Sequence, residues 1–336
     1  MLQATKDIFS DEILHQAIKL FGGTKEKCKD LGGFEAFVYE LEIDNKYYIL
    51  KITHTIRRTV KYILGELEFV NYLSSHGVPT SKAVASLQNN LIETIDAPDG
   101  GLFLAYLYEK AEGALTTYKD WSDDFITTWG QLAGMMNRLA KEFKPSSPDY
   151  TREQWDDDDI FNFEQHIPKS KSKTISNGRK IIEHVKTFPK NKYCYGLVHG
   201  DLHHGNFFNN NGVIHPFDFD DCGYNYFIND IAMPLFYALP HTYVKKDYGG
   251  ISNIEFGSNF LFNFLNGYKK EMRLEKEWIL RIPEFLKIRA MLLFTIFHQI
   301  WAEDSLDDKK IEIIERLRCF VDGDEILLDI DYGKFV

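Results

Sequence analysis

The chain has 336 residues, 44% apolar and 26% charged, with a net charge of −11. That length suits two ordinary domains or one two-lobed unit, and 26 Phe, 18 Tyr and 5 Trp can fill sizeable cores. The acidity argues against nucleic acid as a partner, because phosphate contacts would have to overcome the protein's own repulsion. Cys28, Cys194, Cys222 and Cys319 are far apart, form no C-x-x-C pair and read as reduced thiols. The N-terminal stretch lacks the basic-then-apolar pattern of a secretion signal. The most apolar run, Ala290 to Phe297, is too short to span a bilayer. These features predict a cytoplasmic protein without a membrane partner and leave the oligomeric state open.

Ser10-Asp11-Glu12 marks a helix start, and the amphipathic segment behind it ends at Gly22-Gly23. From Cys28 to Ile52 the period changes to two: Phe37, Tyr39, Leu41 and Ile43 alternate, Asp44-Asn45-Lys46 is a turn, and Tyr47 to Ile52 returns as a strand. Glu66 to Leu73 predicts a helix closed by Gly77-Val78-Pro79, followed by strands at Leu91 to Ile95 and Leu102 to Leu107. Past Glu112 helical patterns dominate, at Asp124 to Phe143, Lys180 to Thr187, Phe256 to Met272 and Pro283 to Trp301. One β-like island, Leu197 to Phe219, interrupts them.

That island carries the chemistry. His199-Gly200-Asp201-Leu202-His203-His204-Gly205-Asn206 contains H-x-D-x-x-x-x-N, the spacing of a kinase catalytic loop. In such a loop the Asp takes the acceptor hydroxyl's proton and the Asn holds a magnesium ion. Asn209-Asn210-Asn211-Gly212 is a hairpin turn signal, and closing that hairpin brings Asn206 and Asp218 together at its open end. An amide oxygen and a carboxylate suit magnesium, a hard cation. Phosphoryl transfer asks a protein mainly for positioning and charge neutralisation, which Asp201, Asn206 and Asp218 can supply. Taken alone, these are also ordinary polar residues around a hairpin, and His203 and His204 admit a metal-hydrolase alternative.

Upstream, Lys51 sits inside the apolar strand Tyr48-Ile49-Leu50-Lys51-Ile52. A lone lysine there is usually a snorkelling edge residue; the functional alternative is a ligand for nucleotide phosphates, with Glu66 as its ion-pair partner. Glu68 is the competing carboxylate but falls on the face opposite Val70 and Leu73. Gly32 and Gly33, followed by Phe34, allow close backbone approach to phosphates, although a plain turn would look the same. Tyr106, Leu107 and Tyr108 stand where a hinge would offer backbone groups to adenine.

His199-Gly200-Asp201-Leu202-His203 through Asn206, with Asp218-Phe219-Asp220-Asp221 and Asn229-Asp230-Ile231-Ala232, resembles the aminoglycoside phosphotransferase and choline kinase superfamily. It particularly resembles the branch that contains type II homoserine kinases and bacterial stress-response kinases. Leu31-Gly32-Gly33, Lys51-Ile52 and Gly77-Val78-Pro79 extend the likeness, which spans roughly residues 10 to 305. It implies Asp201 as catalytic base, Asn206 and Asp218 as metal ligands, Lys51 as phosphate ligand and Asp230 as a structural carboxylate. The chain departs from the family at His204, where proline is common, and at Phe217, where an aliphatic residue is common. It has no A-P-E element, which argues against a eukaryotic-type protein kinase.

The expectation is therefore an α+β, protein-kinase-like two-lobed fold. Residues 1–108 form a small antiparallel-sheet lobe for the nucleotide, and residues 109–336 a larger, mainly helical catalytic and acceptor-binding lobe. The expected activity is transfer of the γ-phosphoryl group of ATP, with Mg2+, to a hydroxyl of a small molecule. The alternatives are a serine/threonine protein kinase of the same fold, a non-catalytic nucleotide-binding module and a metal hydrolase. ATP and GTP are not distinguished. Asp156 to Asp159 form a four-aspartate run beside Trp155. It is read either as a solvated cap for the following helix or as a negative rim for a cationic acceptor. In the second case Asp156 and Asp157, with Asp221, attract an amine and Trp155 adds a cation–π face.

Overall fold

The computed structural model describes residues 3–33, 36–157, 159–302 and 305–336. Phe34 of the glycine turn and Asp158 of the acidic run lie outside them. The chain forms two compact units, each assembled from separate stretches of sequence.

The first unit comprises Met1–Gly113, Phe143–Arg152 and His215–Asp220. It opens with α1 (Gln3–Ile8) and α2 (Asp11–Leu20), and the Ser10 side chain caps α2 by accepting from the Ile13 amide. β1 (Cys28–Gly32), β2 (Phe37–Ile43) and β3 (Lys46–His54) follow as an antiparallel meander. Asp44 and Asn45 both take positive φ, 50° and 61°, as a two-residue hairpin turn of matching twist requires. Then come α3 (Val60–Ser75), β4 (Ala83–Val84), β5 (Glu93–Asp96) and β6 (Leu102–Glu109). The strand order is β1-β2-β3-β6-β4, with β5 also on β6. Phe103, Ala105 and Leu107 pack with Leu41, Leu50 and Ile52 against Ile13, Ala17 and Ile18 of α2, while Tyr108 on the other face meets α3.

α3 begins six residues before the predicted start at Glu66, because Thr59 caps it: its Oγ1 accepts from the Tyr62 amide at 3.1 Å. Residues 143–152 lie along this helix as a strap. Phe143 packs on Phe69 and Tyr72, the Ser146 amide donates to Glu68 at 2.8 Å, and Lys61 pairs with Asp149 at 2.7 Å. Glu68 thus faces the strap. The predicted helix to Phe143 stops at Ala140, since Phe143 belongs to this contact.

The second unit comprises Ala114–Glu142, Glu153–Ile214 and Asp221–Val336. Its elements are α4 (Asp123–Ala140), α5 (Phe163–His166), α6 (Ser172–Lys186) and the strands β7 (Tyr195–Val198), β8 (Phe207–Asn210), β9 (Val213–Pro216) and β10 (Gly223–Tyr226). They are followed by α7 (Asn229–Ala238), α8 (Asn253–Tyr268), α9 (Lys276–Leu280), α10 (Ile282–Ile300) and α11 (Asp308–Asp322). β8 and β9 make the predicted hairpin, with Asn211 and Gly212 at φ 52° and 91°; β9 carries the chain into the 215–220 segment of the first unit. β7 pairs antiparallel with β10. α7 and α11 were not anticipated: α7 is buried nearly throughout and contains Pro234, so it shows no polar face to betray a helical period. Among the described residues no helix is long and apolar enough to cross a membrane.

α4 and α8 approach so closely that their glycines meet opposing backbone. A Cβ at Gly130 would lie 1.9 Å from the Phe264 carbonyl oxygen, and one at Gly267 would lie 1.8 Å from that of Thr127. Helix propensity alone predicts that Gly130→Ala gains about 1 kcal/mol, whereas overpacking against fixed backbone costs about 1–3 kcal/mol or more. Gly130→Ala is expected to be destabilising by urea unfolding. A net gain in stability would show that the helices can separate at little cost.

Candidate active site

In the first unit, Lys51 lies opposite Tyr106 on β6 and Val38 on β2. Its side chain is 12% exposed, and Nζ donates to Asp218 Oδ1 at 2.6 Å. Burial alone would push the ammonium's pKa down, but Asp218, Tyr106 and Glu66 outweigh it and hold it well above the ordinary lysine value. Asp218 has φ 63°, a left-handed conformation that a non-glycine residue adopts at a cost.

The expected Lys51–Glu66 ion pair is corrected by the structure. Glu66 is fully buried and accepts a hydrogen bond from the Tyr108 hydroxyl, while the lysine's direct partner is Asp218. The Tyr108 hydroxyl already serves the Glu66 carboxylate, and Lys51 acts on it only through space. Burial, then Asp220, raises the Glu66 pKa. Arg152, at the end of the strap, donates to the backbone oxygens of Tyr62, at 3.0 Å, and of Asp220. It thereby ties α3 to the segment that carries Asp218.

Tyr106, Leu107 and Tyr108 are also corrected as hinge residues. They lie inside β6, paired with Lys51, Leu50 and Ile49 of β3, and Leu107 and Tyr108 pair on the other edge with Val84 and Ala83 of β4. Sheet-like bonding continues through Glu109, whose amide donates to Lys82, and Lys110, whose amide donates to Tyr47. The chain leaves the sheet only at Ala111. β-like composition runs through Tyr108 and Glu109, so the strand's end is not visible in the sequence. Gly32 and Gly33 occupy φ 77° and 152°, and a Cβ at Gly33 would lie 2.1 Å from the Ala36 carbonyl oxygen. The turn needs glycine at this point whatever else it does.

In the second unit the loop from His199 to Asn206 leaves the end of β7. Asp230, in the first turn of α7, is fully buried and accepts from the amides of His199 at 3.2 Å and Gly200 at 3.1 Å. Asn137 of α4 donates to the same carboxylate at 2.8 Å, and Tyr268 of α8 donates to Asn137 at 2.9 Å. Burial raises the Asp230 pKa, with His199 and these donors opposing it. Gly200 has φ 84°, and a Cβ there would lie 2.5 Å from the Asp221 carbonyl oxygen.

Asp201 accepts from Arg289 Nη2 at 2.9 Å on Oδ1 and from Asn206 Nδ2 at 2.9 Å on Oδ2. His203 Nε2 lies 3.3 Å from Oδ2. The Gly205 amide donates to His203 Nδ1 at 2.9 Å, which makes Nε2 the protonated nitrogen that faces Asp201. Burial would raise the Asp201 pKa, but Arg289 and then His203 overcome it and hold it far below the usual carboxylate range. Asn206 commits its amide N–H groups to Asp201, so its carbonyl oxygen is the atom that suits a cation.

Arg289 and Tyr237 escaped the sequence reading. Arg289 Nε donates to the Tyr237 hydroxyl at 3.0 Å. The available signal was a cation inside the otherwise apolar run of α10, which burial tolerates only with a partner. His204 packs edge-on to Trp121, and burial lowers its pKa to about 4, so it is neutral. Among the described residues, no group of three or more His, Cys, Asp or Glu side chains converges to hold a metal.

Among the described residues of the acidic run, Asp156 and Asp157 are engaged within their own loop and not arrayed around an open Trp155 face. Trp155 is 9% exposed and packs edge-on to Phe161, so its ring is covered. Asp156 lies 3.6 Å from Lys186 and 3.9 Å from Lys190, and Asp157 accepts from the Gln154 amide at 3.0 Å. These carboxylates brace their own loop. Asp221 is exposed and acts through space on Arg289.

The fold and these residues define a kinase-like phosphotransferase. The chain belongs to the phosphotransferase enzyme family APH, whose match covers residues 28–286, and it phosphorylates an alcohol group on a small molecule. It is 34% identical over 340 residues to amicoumacin kinase of Bacillus subtilis (strain 168), covering all of both chains. A solved structure of amicoumacin kinase hAmiN in complex with AMP-PNP, Ca2+ and Ami superposes with a TM-score of 0.93 at 34% identity, again over the whole of both chains. A microcompartment-associated aminopropanol kinase shares the fold, with a TM-score of 0.74 at 16% identity over 94% of this chain and 96% of that one.

Tyr108→Phe removes the hydroxyl that donates to Glu66 Oε1, and the carboxylate's other oxygen is already buried without a hydrogen bond. An unsatisfied buried acceptor costs about 1–3 kcal/mol. The variant is expected to lose stability of that order by urea unfolding, and Tyr108→Phe combined with Glu66→Gln to recover part of it. Additive losses in the double variant would show that the two side chains act independently.

Proposed function

We propose that this chain transfers the γ-phosphoryl group of ATP, bound with Mg2+, to a hydroxyl of amicoumacin or a closely related amine-bearing small molecule. The observation that carries the reading is the Asp201 carboxylate, held by Asn206, Arg289 and His203 within an H-x-D-x-x-x-x-N loop. Support for the acceptor comes from full-length likeness to amicoumacin kinase. An amine on the acceptor now rests on the exposed Asp221, not on the acidic run.

Asp201 would orient the acceptor hydroxyl and take its proton as the new bond forms. A carboxylate held this far toward its ionised form is a weak base, which suits a transition state that makes little demand for base catalysis. Asn206 and Asp218 fit a hard cation: one offers an amide oxygen, and the other a carboxylate 47% exposed and set in a strained conformation. When bound, the metal would neutralise charge on the phosphate oxygens. Lys51 would exchange Asp218 for nucleotide phosphate, with Glu66 and Tyr108 keeping its surroundings polar.

A coupled ATP-consumption assay with amicoumacin, 1-amino-2-propanol, homoserine and an aminoglycoside tests the acceptor, with GTP run beside ATP. Amicoumacin is expected to give the highest kcat/KM; turnover of the others alone would overturn that choice. Label entering protein and no metabolite would favour the protein-kinase alternative.

Asp201→Asn should retain AMP-PNP binding and lose about two to four orders of magnitude in kcat. Asp218→Ala should abolish the Mg2+-dependent thermal stabilisation by AMP-PNP. A shift that survives intact would remove Asp218 from the metal site.

A further inference from the structure

We propose that Arg289 and Tyr237 are positioning residues for phosphoryl transfer, clamping the Asp201 carboxylate in the single orientation that receives the acceptor hydroxyl. The proposal rests on Asp201 having the role given above. It adds two residues from elements remote in sequence, α10 and α7.

Four side chains close a circuit. Arg289 Nη2 donates to Asp201 Oδ1 at 2.9 Å, and Arg289 Nε donates to the Tyr237 hydroxyl at 3.0 Å. The Tyr237 ring lies 4.5 Å from the His203 ring, and His203 Nε2 returns to Asp201 Oδ2 at 3.3 Å. With Asn206 also on Oδ2, both carboxylate oxygens have a fixed donor and the group has no freedom to rotate. Oδ2 is filled by Asn206 and His203, whereas Oδ1, with Arg289 alone on it, keeps a lone pair for a hydroxyl.

The pair is costly as a purely structural feature. The Arg289 and Asp201 side chains are 13% and 15% exposed, and removing two charges from water carries a desolvation penalty that their attraction must repay. A loop carboxylate would be cheaper left in solvent. A guanidinium fork, by contrast, fixes a plane, which a point charge cannot do. The clamp is itself anchored: Lys246 donates to the carbonyl oxygens of Tyr237 and Leu239, holding the C-terminal end of α7. Asp230 holds the loop from the other end of the same helix. α7 therefore braces both the loop that bears Asp201 and the tyrosine that aims its arginine.

The test compares Arg289→Met, Arg289→Lys and Tyr237→Phe in the full chain, reading kcat, KM for ATP and the thermal shift given by AMP-PNP with Mg2+. Arg289→Met is expected to lose about 10- to 100-fold in kcat, the penalty of a misplaced catalytic group. Its KM for ATP should stay within about twofold, because only the acceptor side is disturbed. Arg289→Lys should recover part of the loss, since an ammonium reaches one oxygen but cannot also fork to Tyr237. Tyr237→Phe should lose roughly 2- to 10-fold, the worth of one ordinary hydrogen bond.

Unchanged kcat in Arg289→Met would overturn the clamp. So would equal losses in the Met and Lys variants accompanied by loss of the AMP-PNP shift, which would mark Arg289 as a folding residue. Should Arg289→Met fail to fold, Tyr237→Phe decides: a kcat loss at constant KM for ATP supports the clamp, and no loss refutes it. If Asp201→Asn is itself active, the underlying role of Asp201 fails; an inactive Asp201→Asn beside a normal Arg289→Met sinks the clamp alone.

Discussion

The buried carboxylate of Asp230 is the interaction on which the loop that bears Asp201 depends. It takes the amides of His199 and Gly200 and the side chain of Asn137 in a setting where burial disfavours its charge. An anion in the first turn of α7 is offset by the helix's own partial positive charge. The loop amides have left the β7–β10 ladder and would otherwise be orphaned in the interior, where an unmade hydrogen bond is expensive. One carboxylate satisfies both, and in doing so it fixes where Asp201 begins. Gly200, at positive φ against the Asp221 carbonyl, lets the backbone pass.

The first unit solves a different problem, that of keeping Lys51 cationic inside a sheet. Three neighbours of negative or polar character surround it, and each is itself held: Asp218 by its strained backbone, Glu66 by Tyr108, and Tyr106 by its place in β6. α3 carries Glu66 inward and Glu68 outward. The strap at 143–152 grips the outward side, with Gly65 leaving room for the Tyr150 carbonyl. A helix pinned along its outer face in this way presents a fixed carboxylate to the lysine's surroundings.

Much of this was legible in the chain. The two-residue turns at Asp44-Asn45 and Asn211-Gly212 encode their own positive φ, and alternation along Phe37 to Ile43 marks a strand with one buried face. The spacing from His199 to Asn206 pointed to the proposed catalytic loop because covalent separation limits which side chains can serve one centre. Errors arose where the deciding partner was distant. Tyr106 to Tyr108 lie inside a strand because β3 and β4 occupy its edges. Trp155 and its aspartates serve their own loop because Phe161, Lys186 and Lys190 fold back on them.

The sequence by itself determined the local elements and singled out the proposed reacting groups, since both depend on neighbours within a few residues: turn residues, alternation, and a motif of eight positions. Only the tertiary structure decided which charges pair. Lys51 meets Asp218 across 167 positions, Glu66 meets Tyr108 across 42, and Arg289 meets Asp201 across 88. A buried charge must find a partner, but chain connectivity does not say which of several carboxylates will reach it; packing of the helices and sheet makes that choice.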